Sequence, residues 1–165
     1  MGYLNQILLR ANQGMAYYVN TEDNTTRKMI EARRVDASYT IEVNSYQELG
    51  NQTIQHYPGS IEIRGTMELY ICSTYFIERI EQYRKKGIPY TFDLILTNGV
   101  ITGEPSYNSN IGFQSVTLHN ILLSRVPISS LGLDSSASSG SFEFTADGLT
   151  INDYFKDYIE TIGVL

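Results

Sequence analysis

Cysteine is nearly absent. Cys72 stands alone, so no intrachain disulfide can form, and a small buried thiol is the expectation. Histidine is almost as scarce. His56 and His119 have no cysteine or carboxylate neighbours at metal-ligand spacing, so no metal site is expected. No nucleophile elbow, P-loop or dinucleotide fingerprint occurs, which points to a protein that is not an enzyme and takes no cofactor. No apolar run is long enough to span a bilayer, so no membrane anchoring is expected. Met1–Arg10 holds Ile7, Leu8 and Leu9 but lacks the basic start and the length of a signal core. Positive charge is short too. Twelve Lys and Arg stand against eighteen Asp and Glu, a net charge of −6. That balance argues against a general nucleic-acid binder, which needs a basic patch for phosphates. It leaves room for a surface that repels them.

Tyrosine is plentiful, with 13 residues and no Trp beside them. Tyrosine suits interfaces, and it also suits ordinary strands. At 165 residues one domain is expected, long enough to bury a core.

The most legible stretch is Gly59–Leu96. From Ser60 to Ile71 the pattern alternates. Ile61, Ile63, Met67, Leu69 and Ile71 fall on one face, with Ser60, Glu62, Arg64, Thr66 and Glu68 on the other. A period of two over that length predicts a strand with one buried and one wet face. Gly65 interrupts the apolar side, as a bend or a close backbone approach does. The period then becomes helical through Phe76, Ile77, Ile80 and Tyr83, with Ser73 or Thr74 as N-cap and a stop at Gly87 and Pro89. Tyr90, Phe92, Leu94 and Leu96 resume the strand period.

Elsewhere the pattern predicts strands at Met15–Val19, Val35–Val43, Phe113–Leu123 and Ser141–Thr145. Ser124–Leu133 reads as a short strand or extended piece broken by Pro127, and Asp134–Gly140 as a Ser-rich turn. Ile151, Tyr154, Phe155, Tyr158, Ile159 and Ile162 have the spacing of a C-terminal helix. Residues 1–13 form an N-terminal arm. Residues 44–58 and 98–112 are polar loops, and 44–58 is long enough to be functional. The fold class is mainly β with a flanking helix, an antiparallel sandwich or barrel.

Glu78 and Glu81 read as solvated helix charges, with Glu81 and Lys85 a favourable i,i+4 pair. Arg84, Lys85 and Lys86 have two readings: complementing the helix dipole, or docking an acidic partner.

The order of these pieces resembles the tail tube protein of contractile phage tails and of phage-like, bacteriocin-type particles. Gly14–Val19 resembles the family's opening strand, and Gly59–Tyr70 its glycine-and-threonine strand ending in tyrosine. Tyr83–Gly87 resembles the end of its helix. Val116–Ile121 and Phe142–Thr145 resemble its last long strands. Residues 1–13 and 98–112 depart from the pattern.

The resemblance implies a structural subunit of a virion tail or phage-like particle, assembled in the bacterial host cytoplasm. Its partners would be itself, in stacked hexameric rings, then tail sheath, baseplate and tail-terminator proteins. DNA would be transient cargo in the lumen. Each subunit's sheet would join a ring-wide barrel of about 24 strands, which gives a backbone diameter of about 50 Å and a lumen of about 40 Å. Such a ring also pairs strand edges that are hazards on a monomer.

Asp36, Glu42, Glu62, Arg64 and Glu68 are the lumen-lining candidates, with Arg64 alone opposing an acidic excess that repels DNA. Arg79, Arg84, Lys85 and Lys86 are the sheath-contact candidates, with Phe76, Ile80 and Tyr83 packed inward. Tyr46, Glu48, Leu49 and Tyr57 are the ring-stacking candidates within residues 44–58. The competing reading is a closed monomeric β-barrel that binds a small apolar ligand.

Overall fold

The computed structural model describes residues 14–99, 113–133 and 137–153. The strands are β1 (Met15–Val19), β2 (Thr26–Lys28), β3 (Ala32–Tyr46), β4 (Gln55–Tyr70), β5 (Phe92–Gly99), β6 (Phe113–Arg125), β7 (Ser139–Ala146) and β8 (Gly148–Asp153). Helix α1 (Tyr75–Lys86) lies between β4 and β5. Every strand pairing is antiparallel, and the sheet runs β2-β1-β5-β6-β7-β4-β3, with β8 also on β6. It stays open, ending at β2 and at β3.

Strand β6 belongs to both halves of this sheet. Its first part, through Ile121, pairs with β5, and the same part pairs with β8 through Ser115–His119. Its last part, Leu122–Arg125, pairs with β7. Strands β7 and β8 follow β6 as one line broken at Asp147, whose N–H donates to the His119 carbonyl at 2.9 Å. Asn120, at φ 51°, marks the same corner on β6. Asparagine tolerates this left-handed region better than most residues.

The core gathers side chains from both halves and from the helix. Phe92, Leu94, Leu118, Ile121, Met67, Leu69 and Phe144 are fully buried. Burying each such side chain stabilises the fold by about 1.5–3 kcal/mol. Phe76 carries the helix into this core, its ring 5.4 Å from Phe142, 5.9 Å from Phe92 and 6.4 Å from Tyr18. A hydroxyl chain seals the edge of that contact. Tyr75 Oη lies 3.0 Å from Tyr18 Oη and 3.1 Å from Tyr90 Oη. Gly87, at φ 71°, ends the helix, and its N–H donates to the Tyr83 carbonyl. Thr74 is the N-cap residue, but its hydroxyl donates to Glu78 Oε1 at 2.8 Å instead of capping the backbone. Gly65 is the close approach that its place in the sequence implied: a Cβ there would collide with the Asp36 carbonyl and the Phe144 ring.

Several expectations need correction. Residues 44–58 are not one long loop. Strand β3 runs to Tyr46 and β4 starts at Gln55, so a paired hairpin occupies most of the stretch. Cross-strand hydrogen bonds hold even a polar, wet ladder when no third element covers it. Ile61 points to the apolar side but is exposed, because β7 stops beside Ile63 at Ala146. Tyr83 lies half exposed, not packed inward, and Ile80 is only partly buried. The helix meets the core through its first turn, at Phe76.

Ile151 lies on β8, not on a helix. Residues 1–13, 100–112, 134–136 and 154–165 lie outside the described residues, so the arm, most of the 98–112 loop and the C-terminal helix carry no structural statement. Cys72 is exposed, not buried, because it follows the last paired residue of β4. The three-residue strand β2 was too short to leave a period.

Candidate functional site

Strands β6, β7, β4 and β3 form four adjacent members of the sheet with two distinct faces. The inner face carries Phe142, Phe144, Ile63, Met67 and Leu69 toward the helix. The opposite face is polar. Partners across the ladder share a face, so Asp36 and Thr66, Ser38 and Arg64, Thr40 and Glu62, and Thr66 and Glu143 lie together. All five lumen candidates belong to this face. Asp36, Glu42, Glu62 and Arg64 are exposed, and Glu68 is partly buried.

Most of those carboxylates have a cationic partner. Arg64 lies 2.9 Å from Glu62, Arg34 2.7 Å from Asp36 and Arg33 3.0 Å from Glu68. Hydrogen bonding to these carboxylates raises the pKa of Arg64 and of Arg34 further above its ordinary value. Glu42 accepts instead from the Ser60 hydroxyl at 2.9 Å. Arg125 lies 3.9 Å from Glu143 at the β6 margin. Arg64 is therefore not the sole cation here.

Sequence reading missed Arg33 because a bulge lies between Ala32 and Arg34, and it missed Arg34, which is in phase with Asp36, because the strand was read from Val35. The extra residue lets Arg33 reach Glu68 on the wet face, beside Arg34 on Asp36. The face is a lattice of exposed ion pairs with a small acidic excess. Each exposed pair stabilises the fold by little.

The helix lies on the other side of this sheet from the polar face. Phe142 meets Phe76, while Glu143, its neighbour on β7, points the opposite way. The four basic candidates on α1 differ in freedom. The Arg79 guanidinium lies 5.1 Å from the Tyr75 ring centre and 5.2 Å from that of Tyr90, a cation–π clamp. Arg84 donates from Nη2 to Glu81 Oε2 at 2.8 Å, and that hydrogen bond lowers the Glu81 pKa. Glu81 thus takes Arg84 at i+3 as its ion-pair partner, not the expected Lys85. Lys85 and Lys86 are exposed and form no ion pair among the described residues.

The β3–β4 hairpin extends past the end of β7. From Tyr39 to Tyr46 it projects about 25 Å at the ordinary strand rise. Tyr46 and Tyr57 share one face near the tip, their ring centres 6.0 Å apart. Glu48 and Leu49 sit in the exposed turn between the strands. All four stacking candidates lie at this end of the hairpin. The alternation also puts Tyr39, Ile41, Val43 and Ile61 on the apolar face and implies that they are packed; the stripe continues the core face onto the hairpin but lies exposed there.

Within the β6-β7-β4-β3 part of the sheet, two strand margins lack partners among the described residues. One is the outer edge of β3. The other is the outer edge of β6 beyond Ile121, where β5 has ended.

His119 has the carboxylate neighbour that its sequence surroundings hid. Its Nδ1 lies 3.3 Å from Asp93 Oδ2, and its Nε2 lies 2.7 Å from Thr150 Oγ1. The Asn120 N–H donates to Asp93 Oδ1 at 3.0 Å. These bonds tie β5, β6 and β8 at the sheet corner. Among the described residues no three His, Cys, Asp or Glu side chains gather as a metal site.

Comparison with known proteins agrees with this architecture. A chain from the anti-feeding prophage baseplate superposes with a TM-score of 0.63 at 12% identity, covering 84% of this chain and 91% of that one. A chain from the sheath/tube terminator of the PVC extracellular contractile injection system gives 0.65 at 10% identity, covering 88% and 97%. A chain from the sheath-tube complex of the same system gives 0.62 at 10%, covering 88% and 91%. At these identities the likeness establishes the fold. No curated protein sequence matches. A family model described as phage tail tube protein matches residues 8–153. The chain belongs to the phage tail tube protein family.

Proposed function

We propose that this chain is the repeating subunit of a contractile tail tube, in which hexameric rings stack around a hollow lumen. The observation that carries the reading is the four-strand sheet β3-β4-β7-β6. It has one polar face, one packed face and an unpaired margin on each side among the described residues. A sheet with two unlike free margins joins copies of itself edge to edge, and closure of that series gives a ring. Four strands per copy, six times over, make the ring-wide barrel of about 24 strands, about 50 Å across.

In such a ring the polar face lines the lumen, and α1 lies outside the barrel wall, where the sheath would sit. Lys85 and Lys86 are the sheath contacts we favour, since Arg79 and Arg84 are already engaged. The projecting hairpin, with Tyr46, Glu48, Leu49 and Tyr57, reaches the next ring. The small acidic excess of the lumen face lets DNA slide without sticking when the particle carries a genome. Sheath, baseplate and terminator proteins complete the partners, and assembly takes place in the bacterial cytoplasm. The role is structural, without catalysis.

The contractile injection system assemblies that hold similar chains support this reading. The closed-barrel alternative has no such support. The sheet is open, and aromatic and aliphatic side chains fill the space between sheet and helix. Sedimentation of the purified protein tests the proposal. Hexamers or larger ring multiples that grow with concentration are expected. A monomer at every concentration, with a tightly held apolar ligand, would favour the barrel.

A further inference from the structure

Strand β6 has a covered and a bare stretch along one edge, and a single corner divides them. Up to Ile121 that edge is covered by β5. Beyond it, Leu122–Arg125 keep β7 on the other edge and have no partner on this one among the described residues. The corner is a bulge. Between the pairs Phe92–Ile121 and Leu94–Leu118, Asp93 alone on β5 faces both His119 and Asn120 on β6. A bulge bends its strand and adds twist, so this one fixes the direction in which the bare edge leaves.

One carboxylate holds both bulged residues. Asp93 Oδ1 accepts the Asn120 N–H at 3.0 Å, and Oδ2 lies 3.3 Å from His119 Nδ1. A carboxylate only accepts, so Nδ1 carries the imidazole proton, and Nε2 accepts from the Thr150 hydroxyl at 2.7 Å. The Asp147 N–H donates to the His119 carbonyl from the break between β7 and β8. Asp93 is thus the one side chain that ties β5 to both residues of the corner, and Thr150 braces the same imidazole from β8.

We propose that Asp93 is a positioning residue for ring closure, setting the angle at which the bare β6 edge meets a second copy of the chain. The inference rests on the tube reading and adds the residue that fixes the joint. A closed ring needs the same rotation at every joint, about 60° for six copies, about 72° for five and about 51° for seven. A drift of about 10° at the corner therefore changes the number of copies or leaves the series open. Asparagine at 93 preserves the brace. Its amide oxygen accepts the Asn120 N–H, and its amide nitrogen donates to Nδ1 of the other imidazole tautomer, whose Nε2–H donates to Thr150. Alanine preserves neither bond.

Full-length Asp93→Ala, Asp93→Asn and Thr150→Val test the joint. Thr150 is exposed, so its replacement leaves the fold in place and frees only the imidazole. Two quantities are read, the concentration at which tubes appear and the number of copies per ring by electron microscopy. Asp93→Ala should raise that concentration at least severalfold and give open or unequal rings. Thr150→Val should do the same to a smaller extent at an unchanged urea midpoint, and it decides the matter if Asp93→Ala does not fold. Asp93→Asn should restore uniform six-fold rings at the wild-type concentration. Uniform wild-type rings at that concentration from Asp93→Ala, or from Thr150→Val where the alanine variant does not fold, overturn the positioning role and leave the tube reading standing. So does an asparagine variant as impaired as the alanine one. Wild-type protein that stays monomeric at every concentration overturns both.

Discussion

Gly65 sits in β4 where its neighbours come closest. The Phe144 ring and the Asp36 carbonyl occupy the space a side chain would need. Gly65→Ala should destabilise the protein by about 1–3 kcal/mol through forced displacement of its neighbours, read as a lower urea midpoint at unchanged slope. Tyr90 gives a second expectation at this scale. Burial pushes its phenol well above the ordinary range. The folded state therefore favours the neutral phenol, while the unfolded chain ionises near pH 10. The resulting stability is complete below that pH and is lost as pH rises toward the folded value. Denaturation midpoints should fall above about pH 10, and Tyr90→Phe should make that fall shallower. An unchanged alkaline profile in the variant would return Tyr90 to an ordinary surface phenol.

Elements differ in how openly the sequence declares them. Strand β4 and helix α1 were legible because each keeps one period and one wet side: Ile63, Met67 and Leu69 on the strand, and a cap at Gly87 on the helix. The hairpin was half legible. Tyr46 through Tyr57 is polar enough to read as loop, and nothing in side-chain pattern reports a backbone ladder with water on both sides. The polar face was legible as a face but not in charge. The insertion at Arg33 brings that side chain to the wet face out of phase, and a bulge leaves no local mark in the sequence.

The helix belongs to the same scale and carries its own expectation. Its basic end contains two lysines without ion pairs among the described residues and two arginines already engaged. Reversing charge with Lys85→Glu and Lys86→Glu should leave tubes intact and weaken co-assembly with sheath at least severalfold in a pelleting assay. Undiminished pelleting would leave these lysines only their interaction with the helix dipole.

At the scale of the whole molecule, the account makes the polar face of β3-β4-β7-β6 an inner wall and α1 an outer one. One geometric relation, the opposed directions of Phe142 and Glu143 on β7, puts the polar face and α1 on opposite sides of the sheet. The curvature of the assembled ring decides between wall and outside, and the isolated chain does not contain that curvature. The most direct measurement is a cryo-electron microscopy reconstruction of the purified protein assembled at high concentration. The account predicts a hollow tube of stacked six-fold rings. Asp36, Glu62, Arg64 and Glu68 should face the lumen, and Lys85 and Lys86 the outside. A tube with α1 on the lumen side, or with those carboxylates on its outer surface, would contradict it.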